Sequence, residues 1–131
     1  MKNFSEIQSL MKSDMEKTDE ILVDRLNSNV DLINQMSHYI IASGGKRLRP
    51  LLLLLSARAT NYVGTDHHAM AVVIELIHTA TLLHDDVVDE STTRRGQDTA
   101  NELWGNAPSV LVGDFLYSRA FEIMVEPNSM A

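Results

Sequence analysis

The run His84-Asp85-Asp86-Val87-Val88-Asp89-Glu90 brings four carboxylates to the end of a nearly unbroken apolar segment, Met70 to Leu83, and Arg94-Arg95-Gly96 follows closely. On a helix Asp85 and Asp89 stand four residues apart, and Asp86 and Asp89 three apart, so like charges occupy neighbouring rows and repel. They also gather where that helix must end, and a helix C-terminus favours cations. A bound divalent metal ion offsets both costs, with Asp85 and Asp89 as its ligands. The plain alternative is a solvated acidic helix end.

The second group with chemistry is Gly44-Gly45-Lys46-Arg47-Leu48-Arg49-Pro50. Glycines let backbone N–H groups approach a phosphate, a helix N-terminus adds partial positive charge, and Lys and Arg supply full charges. The segment is not a Walker loop, because Ile40 stands where that pattern needs glycine and Arg47 where it needs Ser or Thr. Alone it reads equally well as a basic surface turn. Beside the acids it gains meaning, since magnesium is commonly held by one or two carboxylates together with substrate phosphates. A metal-bridged diphosphate accounts for Asp85 and Asp89. Lys46, Arg49, Arg94 and Arg95 account for a second phosphate-bearing ligand.

These groups need helices to position them. Apolar residues recur at three and four from Phe4 to about Leu26, which predicts one helix, broken by Asn27-Ser28-Asn29. A second helix is expected over Val30 to Ala42, burying Val30, Ile33, Met36 or Ser37, and Ile40, with a left-handed glycine cap at Gly44-Gly45. A third runs from Pro50 to about Thr60. Thr65 or Asp66 caps the long fourth helix that carries the acids. A short helix spans Ala100 to Trp104, and Asn106 caps a last one from Pro108 to about Val125. No β-alternating segment is read, so the fold class is all-α. Leu51–Leu55 and Ala69–Leu83 are apolar on nearly every face, which predicts burial all round and calls for further helices from a partner subunit or a continuation of the chain.

Composition narrows the function classes. A chain of 131 residues with 44% hydrophobic and 22% charged residues fits one globular domain. It has no cysteine, which excludes disulfides and thiolate zinc sites. A net charge of -7 argues against nucleic-acid binding. The N-terminus lacks a signal-peptide core, and no apolar run is long enough to span a bilayer, so a cytoplasmic protein that is not integral to a membrane is expected. His67 and His68 read as surface residues without ligand partners. The seven methionines read as core filling, Trp104 as a packing anchor, and His84 as a structural hydrogen-bonding group as readily as a catalytic one.

Taken together, Gly44-Gly45-Lys46-Arg47-Leu48-Arg49-Pro50, His78 within Ile77 to Asp89, Arg94-Arg95-Gly96, and Val112-Gly113-Asp114-Phe115-Leu116 make the chain resemble the trans-isoprenyl diphosphate synthase (polyprenyl synthetase) family. The resemblance implies an antiparallel helical bundle of the isoprenoid synthase type. It implies Mg2+ on Asp85 and Asp89, supported by Asp86, bridging an allylic diphosphate such as farnesyl diphosphate. It assigns Arg94 to the departing diphosphate, and Lys46, Arg49, His78 and Arg95 to isopentenyl diphosphate, with Asp114 and Gln97 as weaker site residues. The reaction implied is prenyl transfer that adds isopentenyl units to give a long, octaprenyl-type diphosphate for the ubiquinone side chain, in a homodimer. In the family, a bulky aromatic just before the first aspartate stops elongation. Here Ala80 and Thr81 are small, so a channel along Val73, Leu76, Ile77, Ala80 and Thr81 beneath the acids is expected to admit a long product. The family's second aspartate-rich motif is missing. Residues 1–131 are therefore expected to be the N-terminal part of one synthase domain, with the C-terminal half absent and activity alone in doubt. The alternatives are a non-catalytic, prenyl-diphosphate-binding subunit of a heteromeric synthase and, less well matched, a class I terpene cyclase.

Overall fold

The computed structural model describes residues 3–127. Helical periodicity resolves into α1 (Phe4–Leu10), α2 (Lys12–Arg25), α3 (Asp31–Ala42), α4 (Leu48–Ala59), α5 (Asp66–Val88), α6 (Ala100–Trp104) and α7 (Asn106–Val125). A two-residue pair of strands, β1 (Thr93–Arg94) and β2 (Gln97–Asp98), joins α5 to α6. The architecture is all-α, as expected.

Helix α5 is the axis, packed on α7, α4 and α2. One side of it, with Val72, Val73, Leu76, Ala80 and Leu83, closes against Val112, Leu116, Ala120 and Ile123 of α7 and Leu22 of α2. Its other side meets α4 through Ala71, Leu51, Leu54 and Met11. Each fully buried leucine contributes about 1.5–3 kcal/mol of transfer free energy, so these two seams hold the bundle. Met11 and Met36 are fully buried and Met15 and Met70 pack partly buried against the core, as core fillers do, but Met124 is 37% exposed and departs from that expectation; Met1 and Met130 lie outside the described residues. Trp104 packs against the core and edge-on to Tyr39 at 5.2 Å, the anchor expected of it.

Several boundaries differ from expectation. The helix predicted from Phe4 to Leu26 is divided at Met11 (φ -95°, ψ 6°), whose side chain is drawn into the seam with α4. Hydrogen bonds from Met11 N to Ile7 O (3.1 Å) and from Met15 N to Met11 O (2.9 Å) carry the chain through the joint. Val30 precedes α3 and is 52% exposed, whereas Met36 and Ser37 are both buried. The left-handed residue after α3 is Arg47 (φ 54°), not a glycine. Its guanidinium compensates by donating to Ile41 O at 3.1 Å and pairing with Asp19 at 3.5 Å. Helix α4 consequently begins at Leu48, and Pro50 sits within its first turn, where a missing N–H costs little.

Thr65 precedes α5 without a side-chain cap bond, and α7 starts after Gly105 (φ 92°), two residues ahead of Pro108. The unexpected hairpin is explained by Arg95 (φ 52°) and Gly96 (φ 76°), positive at both central turn positions, the twist that a two-residue hairpin needs. Burial of the apolar runs is incomplete. Leu52 is 59% exposed, and Leu111 and Phe121 of α7 are each 58% exposed.

The expectation for His67 and His68 is corrected. His68 is buried, and its Nε2 lies 2.9 Å from Asp14 Oδ1 on α2. Arg58 of α4 donates to the other oxygen of the same carboxylate at 3.0 Å. The partner stands over fifty residues upstream, so spacing along the chain gave no sign of it. Burial raises the Asp14 pKa, but hydrogen bonds from His68 and Arg58 outweigh that, and the net shift is downward. Burial, followed by the neighbouring His68, pushes the His67 imidazole below its ordinary range.

Substituting Leu54→Ala, at a fully buried seam position, is expected to lower unfolding free energy by about 2–5 kcal/mol. Leu52→Ala, one turn surface away, is expected to change it by less than about 0.5 kcal/mol. Urea unfolding followed by circular dichroism separates the two; equal losses would contradict the packing described.

Candidate functional site

A cavity of about 470 Å³ opens between the α3–α4 loop, the second half of α5 and the hairpin. Lys46, Arg49, His78, Arg94 and Arg95 all line it. Each arrives from a different local device. Lys46 and Arg49 flank the left-handed turn at Arg47, His78 stands on the exposed seam of α5, and the hairpin carries the arginine pair.

The side chains are held by specific contacts. Arg49 Nη1 lies 3.1 Å from His78 Nε2. Arginine only donates, so that ring nitrogen accepts, and the His78 proton sits on Nδ1. Burial first, and then the charge of Arg49, push the His78 pKa down, which keeps the ring neutral. Asp86 is 5% exposed and accepts two bonds from Arg94, Nε to Oδ2 at 3.1 Å and Nη2 to Oδ1 at 2.6 Å. Those hydrogen bonds raise the Arg94 pKa, with added support from Asp85 and Asp89. Arg95 lies flat on Gly45, where a Cβ would stand 1.9 Å from its Nη1. The second glycine of the basic segment is thus required for close approach of the guanidinium. Ser43 Oγ is 2.8 Å from Gln97 Oε1, and Tyr39 donates its hydroxyl to Asp98 O at 2.7 Å, so α3 fastens the hairpin.

Asp85 and Asp89 lie on the outer side of the same helix end, exposed, while Asp86 turns into the cavity. Among the described residues neither exposed aspartate forms an ion pair. They remain available as hard oxygen donors beside a cavity lined with cations. His84 Nε2 lies 3.2 Å from Val110 O and 3.4 Å from Asp114 Oδ1, which couples α5 to α7. Asp114 itself is exposed and meets α5 through this contact.

The residues expected along a channel have two kinds of surroundings. Val73, Leu76 and Ala80 are closed in the core, and Ile77 and Thr81 are half-buried. Thr81 Oγ1 lies 2.8 Å from Ile77 O and 3.0 Å from the Tyr117 hydroxyl of α7. Sequence reasoning passed over Glu75, a carboxylate 7% exposed on the cavity wall. The signal for it was present, an acid inside an otherwise apolar run.

The polyprenyl synthetase family model matches residues 30–131. The chain belongs to the polyprenyl synthetase family. It is 53% identical over 128 residues to octaprenyl diphosphate synthase of Escherichia coli (strain K12), covering 98% of this chain and 40% of that protein. It is 43% identical to the all-trans-nonaprenyl-diphosphate synthase (geranyl-diphosphate specific) of Rhodobacter capsulatus, covering 95% of this chain and 39% of that protein. The crystal structure of polyprenyl synthase from Caulobacter crescentus, complexed with calcium and isoprenyl diphosphate, superposes with a TM-score of 0.94 at 48% identity. That superposition covers 98% of this chain and 39% of the other. The chain therefore spans about 40% of the length of the curated relatives it matches, and its helices follow the isoprenoid synthase arrangement.

Gly45→Ala is expected to drive the Arg95 guanidinium off its seat and weaken binding of inorganic diphosphate by about tenfold, the loss of one charge-assisted contact. Calorimetric titration with unchanged circular dichroism checks this. Unaltered affinity would mean that Arg95 does not face the anion.

Proposed function

We propose that this chain carries the allylic-metal and diphosphate-binding part of a trans-prenyltransferase, which joins isopentenyl diphosphate to an allylic diphosphate such as farnesyl diphosphate. The observation that carries this reading is the convergence of four cationic side chains, Lys46, Arg49, Arg94 and Arg95, and the neutral His78 on one cavity beside two exposed aspartates that form no ion pair among the described residues, in a member of this family. Residues 1–131 form the first part of a single isoprenoid synthase domain in this proposal, and the rest of the site belongs to the remaining length seen in the relatives.

Asp85 and Asp89, two carboxylates one helical turn apart and open to solvent, fit Mg2+, which takes oxygen ligands and keeps places for phosphate. Bound there, magnesium would neutralise charge on the departing diphosphate. Arg94, fixed by Asp86, presents its remaining N–H groups to the same anion. Lys46, Arg49 and Arg95 bind the diphosphate of isopentenyl diphosphate, and His78, with its proton on Nδ1, donates a further hydrogen bond. The allylic carbon–oxygen bond breaks and diphosphate leaves with the electron pair. The isopentenyl double bond attacks the cation, and loss of a proton restores an alkene one isoprene unit longer.

Small, half-buried Thr81 supports a long, octaprenyl-type product for a quinone such as ubiquinone, as does the likeness to octaprenyl diphosphate synthase; Ala80 is closed in the core and gives no such support. A homodimer of the full-length protein belongs to the same proposal, and exposed Leu111 and Phe121 offer apolar surface for a partner subunit or for the remaining length of the chain. Among the described residues no helix is long and apolar enough to cross a membrane, which agrees with action in the cytoplasm. The second reading is a non-catalytic subunit that binds prenyl diphosphate and is completed by a partner.

The test replaces the matching portion of the Escherichia coli octaprenyl diphosphate synthase with this chain and supplies farnesyl diphosphate, radiolabelled isopentenyl diphosphate and Mg2+. A long polyprenyl product supports the proposal, and an inactive but folded chimera favours the binding subunit. In that chimera Asp85→Asn is expected to lower kcat at least about 100-fold, about 2.7 kcal/mol of transition-state stabilisation; unchanged turnover would remove the metal role. Thr81→Phe is expected to shift the product to shorter chains by chromatography. The same product length with phenylalanine at that position would show that growth does not pass Thr81.

A further inference from the structure

Far from the acidic end of α5, its first turn holds an arrangement that prenyl transfer does not use. The Asp14 carboxylate and one ring nitrogen each of His67 and His68 lie within 4.8 Å of one another, in side chains 10–14% exposed. We propose that these three residues form a site for a transition-metal dication of the zinc type, which ties α2 to the start of α5.

Three features of the geometry support it. Asp14 Oδ1 is 2.9 Å from His68 Nε2 and 3.9 Å from His67 Nε2. Ligands at about 2.0–2.1 Å from a tetrahedral ion stand about 3.3 Å apart, so the observed separations bracket the required one. The two imidazoles lie side by side, with ring centroids 3.9 Å apart, and present neighbouring nitrogens to the same oxygen. Second, the cluster is incomplete as a hydrogen-bond network. His68 is satisfied by Asp14, but His67 Nδ1 is screened from solvent without a partner, and its Nε2 stands beyond hydrogen-bonding distance of the carboxylate. An ion between the three would take up the lone pair of His67 Nε2, 3.9 Å from the carboxylate; Nδ1 is not part of the ligand set.

Third, the carboxylate is already oriented. Arg58 Nε donates to Oδ2 at 3.0 Å, which turns Oδ1 toward the histidines, as outer-shell partners of metal ligands commonly do. Two imidazoles and one carboxylate suit zinc and its neighbours in the first transition row, not magnesium. The partial exposure of Asp14 and His67 leaves a fourth position for water. The site is remote from Asp85 and Asp89 and differs from them in donor type, so its test does not depend on the prenyltransferase reading.

The experiment titrates the chelator-stripped chain with Zn2+ and, separately, Co2+ in the presence of excess Mg2+. One Zn2+ per chain, a rise in melting temperature, and the intense visible absorption of four-coordinate Co2+ are expected. All three should persist in Asp85→Asn/Asp89→Asn, and affinity should fall at least about tenfold in His67→Gln and His68→Gln. Absence of stoichiometric Zn2+ binding would overturn the proposal, as would binding that survives His67→Gln or is lost with the two aspartates. The His67 side chain makes no hydrogen bond to the rest of the described structure, so the His67→Gln variant decides the matter even where His68→Gln fails to fold.

Discussion

A carboxylate taken out of water at a helix end costs several kcal/mol unless its charge is met, and Asp86 is in that position. Arg94 meets it with two hydrogen bonds. Around this pair the remainder of the site is arranged. Asp86 O also accepts from Ser91 N at 2.9 Å, and Ser91 O is 2.8 Å from Thr99 Oγ1 and 2.9 Å from Asn101 Nδ2. The hairpin's entry is therefore tied to the last turn of α5 through Asp86, and its exit is closed onto Ser91. Its tight turn then carries Arg95 across to Gly45, and the α3–α4 loop completes the cationic wall. Losing Arg94 alone would leave the buried Asp86 carboxylate without its partner, while Tyr39 and Ser43 would still hold the hairpin.

The order of the helices was legible because amphipathic spacing is a local property, and so were Lys46, Arg49, Arg94 and Arg95, which lie within short, composition-biased segments; His78, inside an apolar helix, was assigned only through the family resemblance. What escaped depended on contacts distant in sequence. Met11 divides a periodic helix because α4 has room for its side chain, and nothing near Met11 in the chain announces α4. His67 and His68 seemed solitary because Asp14 is brought to them only by packing of α2 on α5. The hairpin is two residues per strand, too short for alternation to register, though Arg95-Gly96 carried the turn chemistry. Arg47 took the left-handed conformation in place of glycine because its side chain had partners at Ile41 and Asp19 to offset a cost of roughly 1–2 kcal/mol.

Helix α5 also keeps two kinds of polar chemistry apart. From His67 to Asp85 is 18 residues, about 27 Å at 1.5 Å per residue. The intervening turns are well packed, with Val72, Leu76 and Ala80 fully buried. Soft nitrogen donors stand at one end and hard oxygen donors at the other. A rod of this stiffness holds the distance between them nearly constant, so neither end competes for the other's ligands.

Where α5 passes α7, Gly113 leaves a notch for the His84 ring, since a Cβ there would come within 2.2 Å of Nε2. In terms of mutational history, that notch makes the position intolerant of even the smallest side chain, while its exposed neighbours Leu111 and Asp114 face no such steric limit. A side chain at Gly113 would have to displace the His84 ring, and with it the contacts to Val110 and Asp114 that join the two helices.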